Sequence, residues 1–412
     1  MLPDTTERQR QELELRTALS VVLHAVKGLG APETGHAYVR ARELWEQLGF
    51  PSEFLAVPYG QSRYHAFCGE FELALHLDED LLRLSRERND LAGLVLGYFS
   101  SGRNLFYVGR FASSRSHLEE ALASYDPISH ESLVHQIGLH PRLLSEGFWA
   151  FVLFCLGYPD QALAQCDITI AEARRLAHQP TLAATLALGV GVLSLVGDDA
   201  ALDERAGELI AMATEQGFPL WRLHGTLHRG WVKIKNGDVT EGMSLLRHGL
   251  SAFRATGGSA MASTGLLARG CEIAGQIEEA VTVLDDALQI VERTGERWFA
   301  AELNRYKGGL LLQQGHGEAA EELYRKALGI AEEQEAKLWE LRAAMSLARL
   351  RRDQGRRAEA RDLLAPVCGW FTEGFETKDL RDAKALLEEL ADAPALSASA
   401  GLAAAGADAD RG

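Results

Sequence analysis

The fold is decided by GGLLLQQGHGEAAEELYRKAL, residues 308–328, where Gly315 lies seven residues after Gly308 and five before Ala320. RDQGRRAEARDLLAPV, residues 352–367, repeats the spacing with Gly355 and Ala360. On either side of Gly315 the apolar residues recur at helical spacing, in AAELNRYKGGLLLQQ before it and EAAEELYRKALGIAEEQ after it. A glycine between two amphipathic helices takes the left-handed backbone that ends the first without a Cβ penalty. A small residue in the first turn of the second lets the pair approach closely. Tyr324, Ala327 and Leu328 then follow on the same face. Each unit therefore reads as an antiparallel helical hairpin.

The pattern extends outward from there. Turn glycines stand at Gly69, Gly109, Gly157, Gly197, Gly237, Gly275, Gly315 and Gly355, at intervals of 40, 48, 40, 40, 38, 40 and 40. Five residues after each come Ala74, Ser114, Ala162, Leu202, Gly242, Ala280, Ala320 and Ala360, all small except Leu202. A sustained period of this length marks a solenoid of stacked supersecondary units. Residues 17–48 give one more hairpin with a longer turn, GLGAPETG, for about nine in all. Residues 378–391 read as a helix capping the exposed apolar end, with Thr377 as its N-cap. Residues 1–16 are expected to be a segment leading in from an upstream domain, and the Ala/Gly/Asp-rich residues 392–412 a disordered tail.

Composition agrees with a folded helical chain. Of 412 residues 47% are hydrophobic and 24% charged, with 40 glycines and only 11 prolines. The formal charge of −16 lacks the basic face needed for nucleic acid or an anionic membrane. The densest basic run, RLRRDQGRR at 349–357, straddles a helix end, where cations favour the carbonyl pole. Five scattered cysteines, Cys68, Cys155, Cys166, Cys271 and Cys368, form no CxxC pair and suit a reducing, cytoplasmic setting. The most apolar segment, TLAATLALGVGVLSLVG at 181–197, is short for a spanning helix and rich in small residues, so a buried helix is expected.

Gly308, Leu311, Gly315, Ala320, Tyr324 and Ala327 resemble the small–large signature of tetratricopeptide repeats. The units exceed that family's length by about six residues, Asn304 stands in place of its Trp and Glu332 in place of its Pro. The resemblance implies an all-α right-handed solenoid. LGYPDQALAQC (156–166), ATEQGFPLW (213–221), TGERWFAAELNRYKGGLLLQQ (294–314) and the stretch from Leu338 to Leu390 further resemble the repeat region of large bacterial signalling proteins. Those proteins join a class III adenylate/guanylate cyclase, a P-loop ATPase and a tetratricopeptide C-terminus. LPDTTERQRQELELRTAL, 2–19, resembles the segment that follows their ATPase. This resemblance implies a regulatory region, either a detached C-terminal piece of such a protein or a gene that lost its front.

Catalytic motifs do not emerge. GVGVLSLVG has no lysine to complete a P-loop, GxSxG is missing, and no region provides the paired aspartates of a cyclase. His224 and His228 are four apart, but no Glu follows His224 to give HExxH, so they read as groove or surface residues. His130, His135 and His140 fall in the long interval, in YDPISHESLVHQIGLHP, and read as solvated loop residues or proton sensors. No metal or other cofactor is expected.

The first helix of each tetratricopeptide unit lines the concave face. With the turn glycine numbered fifteen, position nine points inward by analogy with the family. That position holds Arg63, Arg103, Phe151, Gly191, Trp231, Arg269, Gly309 and Arg349. Arginine forks onto carboxylates and tryptophan anchors interfaces. The register therefore suggests a basic-aromatic strip, Arg63, Arg103, Phe151, Trp231, Arg269 and Arg349, that receives an acidic segment or a chain-terminal carboxylate. In the other reading these arginines pair with neighbouring acids such as Glu70 or Glu302. The expected function is a non-catalytic scaffold binding a peptide, a domain or an effector, and the resemblance to the signalling proteins implies a cyclase or ATPase domain as its partner. Two alternatives stand beside it: the C-terminal part of a multidomain cyclase or ATPase, and a helical-repeat receptor for a small molecule.

Overall fold

The computed structural model describes residues 5–27, 30–256 and 261–391. The tail at 392–412 lies outside them. Among the described residues there are twenty α-helices, one short 3-10 turn and no strand. They form nine hairpins in chain order. The first is α1 (Thr6–Lys27) with α2 (Pro32–Gln47), followed by α3 (Ala56–Phe67) with α4 (Phe71–Arg88) and α5 (Leu91–Tyr107) with α6 (Phe111–Ser124). After the short α7 (Glu131–Ile137) come α8 (Pro141–Cys155) with α9 (Pro159–Leu176), and α10 (Gln179–Val196) with α11 (Asp199–Glu215). Then follow α12 (Pro219–Lys235) with α13 (Val239–Ala255), and α14 (Met261–Ile273) with α15 (Ile277–Thr294). The last two are α16 (Ala300–Gln313) with α17 (Gly317–Glu333), and α18 (Lys337–Asp353) with α19 (Arg357–Gly369), capped by α20 (Lys378–Ala391).

All eight turn glycines of the series have positive φ, from 75° to 98°. Ala320 is fully buried, and a Cβ placed on Gly308 would meet Tyr324 at 2.8 Å and the Ala320 carbonyl at 3.3 Å. The two small residues thus mark where the helix backbones run closest. Leu202 is fully buried too. Thr377 begins α20 as expected, its Oγ1 accepting from the Leu380 amide at 3.5 Å.

Two details depart from the sequence reading. Helix α1 begins at Thr6, so residues 6–16 belong to the first hairpin and do not precede it. Leu13, deep in the core, holds this part of α1 in place. The long interval is also more ordered than a solvated loop. It carries α7, and His130 is 2% exposed, its Nδ1 accepting from the Asp126 amide at 3.0 Å. Helix α10 is long and apolar enough to cross a membrane, yet it packs between α9, α11, α8 and α12, with Ala183, Leu186, Val190 and Val192 in the core.

The solenoid also closes on itself. The amides of Arg297 and Trp298 donate to the Tyr107 carbonyl at 2.9 and 3.1 Å, joining hairpin eight to hairpin three. The turn glycines of hairpins two, three and four are covered by Thr294, Gln334 and Trp370, each from a unit five further along. In the five later turns, from Gly197 to Gly355, a Cβ would meet nothing within 4 Å. A clasp finishes the contact. The Glu373 carboxylate accepts from the amides of Asp160 and Gln161 at 3.0 and 3.1 Å and from Gln161 Nε2 at 2.7 Å, while the Gly374 amide donates to Asp160 at 2.8 Å. Helix α9 has Tyr158 at its N-cap and no local side-chain cap, so a distant residue supplies the missing acceptor.

Candidate functional site

Closure converts the concave face into a lumen. Within it lies a cavity of about 320 Å³, bounded by α3, α5, α8, α10, α12, α13, α14 and the Glu296–Phe299 segment. Twelve of the lining residues are aromatic, among them Tyr59, Phe106, Phe148, Trp221, Phe253 and Trp298. Their rings pack on one another, Phe106 lying 5.0 Å from Trp298 and 5.5 Å from Phe151. Gly191 exists for the same reason, since any Cβ there would run into the Phe151 ring.

Polar groups are few. Arg103 is buried, donating to Ser100 Oγ at 3.1 Å and Asn104 Oδ1 at 3.3 Å, with its guanidinium over the Tyr59 and Phe99 rings. Behind it, Asn104 Nδ2 donates to Asp78 at 2.7 Å, and burial raises the Asp78 carboxyl to about 6 despite bonds from Ser62 and the charge of Arg103. Arg63 is half-buried and makes no hydrogen bond or ion pair among the described residues. Both guanidinium groups act on the Tyr107 phenol, which burial foremost, with the Glu296 charge, pushes up to about 12 against their pull. Glu296 accepts from Trp298 Nε1 at 3.3 Å. His224 and His228 also face the cavity, and burial lowers both, His224 to about 4, so they are neutral imidazoles at pH 7.

The expected strip is thus split by the fold. Arg63, Arg103, Phe151 and Gly191 meet around the cavity. Trp231 is 1% exposed and does not line it, because Arg269 stacks over its indole at 4.5 Å and over Tyr306 at 5.2 Å. That ring is a packing element between hairpins, out of a partner's reach. Arg349 is half-buried on α18, away from the cavity.

The acids named as alternative partners are engaged elsewhere. Glu70 pairs with His65 at 2.6 Å. Glu302 is fully buried; burial pushes its pKa up, but Arg305 at 2.5 Å and Arg342 at 3.2 Å bring it down to about 2. Arg342 continues to Asp379 at 2.7 Å and to the Leu195 carbonyl at 2.6 Å, tying α18 to α20 and α10. In the basic run, Arg352 pairs with Asp353 and Glu389, and Arg356 with Glu321 and Glu359. Sequence reasoning missed Tyr59, Phe106, Tyr107, Trp298 and Phe253 as cavity residues. They lie at unrelated repeat positions, and only closure brings them together.

No cluster of three His, Cys, Asp or Glu side chains suited to a metal occurs among the described residues. The architecture is that of a tetratricopeptide-like helical-repeat protein. Solved structures similar to it include the Rap protein complexed with Competence and Sporulation Factor, 15% identical with a TM-score of 0.55, covering 80% of this chain and 99% of that one. The Rap conjugation gene regulator of plasmid pLS20, in complex with a Phr peptide, is 11% identical with a TM-score of 0.50, covering 92% and 95%. The APC/C Cut9–Hcn1 assembly gives 12% and 0.50, covering 86% of this chain and 59% of that one. By sequence, an uncharacterized protein of Rhizobium meliloti (strain 1021) is 26% identical over 249 residues, which is 60% of this chain. The match spans about a quarter of that relative's length, 24%. No family profile matches the chain.

Proposed function

We propose that this chain is a non-catalytic binding scaffold of the cytoplasm. It engages a peptide, a protein domain or an effector through its inner face, and it serves cyclase- or ATPase-linked signalling. The observation that carries the reading is Arg63: a guanidinium half removed from water, at the edge of an aromatic lumen, with no acid paired to it among the described residues. Such a group is most stable when a bound anion completes it. Two of the structurally similar proteins were solved with a factor or peptide bound, which supports a recognition role for this architecture. The signalling context rests on the resemblance of 156–166, 213–221 and 294–314 to the repeat region of cyclase–ATPase proteins.

The test compares wild type with Ala262→Trp, which fills the lumen from α14. Each is used to capture partners from the native cell, and the purified chain is assayed for release of phosphate and cyclic nucleotide from ATP and GTP. The scaffold reading expects a defined partner that the filled variant loses, with no nucleotide turnover. Turnover by the pure chain, or equal capture by both forms, overturns it.

A further inference from the structure

We infer that the lumen cavity is a binding site for a small amphipathic carboxylate, a flat apolar body bearing one anionic group, and not for an extended peptide. The inference rests on the inner-face reading above and specifies its ligand.

Size comes first. A cavity of about 320 Å³ is at the lower end of ligand pockets and holds about ten waters' worth of volume. That suits a ligand of one or two rings. A peptide of several residues in extended form would need a continuous channel, and Trp231 under Arg269 is not open to one.

The lining gives the body of the ligand. Phe106, Phe148, Phe151, Phe253 and Trp298 present ring faces and edges, and Leu188 and Leu266 fill between them. Flat apolar surfaces pack against such walls in stacked or edge-on geometry. A strongly polar body, such as a sugar, would leave its hydroxyls without partners here.

Charge fixes the anionic end. Arg63 and Arg103 approach from α3 and α5, on the same side as Tyr59 and Tyr107. Arg103 donates to neutral Ser100 and Asn104, and Arg63 has no hydrogen bond or ion pair among the described residues. The acids nearby are Glu296, which takes the Trp298 indole N–H, and Asp78, set behind Asn104. The imidazoles of His224 and His228 are neutral, so they neither compete for nor repel the anion. A carboxylate placed at Arg63 would accept charge-assisted hydrogen bonds in a largely apolar enclosure. The carboxylate could belong to a free aromatic acid or to the last residue of a chain whose side chain enters the lumen.

Isothermal titration of the full chain separates these. The probes are indoleacetate, its neutral amide, and a tripeptide ending in phenylalanine with either a free or an amidated C-terminus. The expected result is one site per chain for indoleacetate, with the amide about tenfold weaker or worse, and a similar loss for Arg63→Met with less for Arg63→Lys. Ala262→Trp abolishes binding while leaving the far-ultraviolet spectrum and melting intact. If the free-terminus tripeptide binds and indoleacetate does not, the source is a chain end. Equal binding of acid and amide, or retention in Arg63→Met, overturns the inference. So does the absence of binding by every probe at millimolar concentration. Partner capture that survives such a failure leaves the scaffold reading standing; probe binding without lumen-dependent capture leaves the site standing and removes that reading.

Discussion

Replacing Gly69 and Gly315 by alanine, one at a time, tests whether the superhelix is closed in solution. Both residues have φ near 80°, so both variants pay the left-handed cost of a Cβ, about 1–2 kcal/mol. At Gly315 nothing else happens, because no atom lies within 4 Å of the new Cβ. At Gly69 that Cβ would sit 2.6 Å from Thr294 Cγ2 and 3.0 Å from Thr294 Cβ. The second atom is fixed close to the α15 backbone, so a rotamer change cannot relieve the clash. Overpacking of this kind adds about 1–3 kcal/mol. Gly69→Ala should therefore be the more destabilising by about 1–3 kcal/mol in urea unfolding, and Thr294→Gly should recover part of the excess when combined with it. Hydrogen exchange localises the effect: amides of 291–298 open faster in Gly69→Ala and not in Gly315→Ala. Equal destabilisation by the two alanines, or a zero coupling with Thr294→Gly, refutes the closed arrangement.

Other outcomes follow from the same structure. Glu373→Ala removes the acceptor at the start of α9, worth about 1 kcal/mol as a cap, so amides of 160–163 and 371–375 should exchange about fivefold faster. Gly329→Ala, on an exposed position of α17 with open space around it, should stabilise by about 0.5–1 kcal/mol, opposite in sign to Gly315→Ala. His224 and His140, both lowered to about 4 chiefly by burial, are protonated more readily in the unfolded chain. Their contribution is full above pH 6.5 and lost as the pH falls toward 4, so the melting temperature should drop across that window and drop less in His224→Leu. Thiol reagents should modify half-buried Cys68 and Cys368 first, whereas Cys155 and Cys271, fully buried, should resist until unfolding.

The sequence carried the local geometry well, because each hairpin needs a turn glycine and a small contact residue, and both recur in register from Gly69 to Ala360. Helix order, hairpin number and the inward face of Arg63 and Arg103 could all be read from that register. What the register did not carry is everything made between successive turns of the superhelix. The Tyr107 carbonyl meets Trp298, and Asp160 meets Gly374, across roughly 190 to 210 residues with no periodic mark. Nor does it carry side-chain stacking between neighbouring units: Trp231 reads as a groove anchor and is in fact covered by Arg269, from the same register position one unit further along. Likewise the aromatic lumen was invisible: Phe67, Phe253 and Trp298 occupy different positions of their repeats and converge only through closure. The start of α1 was missed because the charged residues at 7–16 mask the single deep anchor, Leu13.

The matching of each early turn to a unit five places later has an evolutionary price tag of its own. An open repeat array can lose or duplicate a module and keep its shape, since every module knows only its neighbours. Here, excising one forty-residue module between Gly157 and Gly275 would carry Thr294, Gln334 and Trp370 past their seats by a whole step. The number of modules in this chain is therefore a fixed quantity, and lineages that retain the ring should vary in loop length but not in module count.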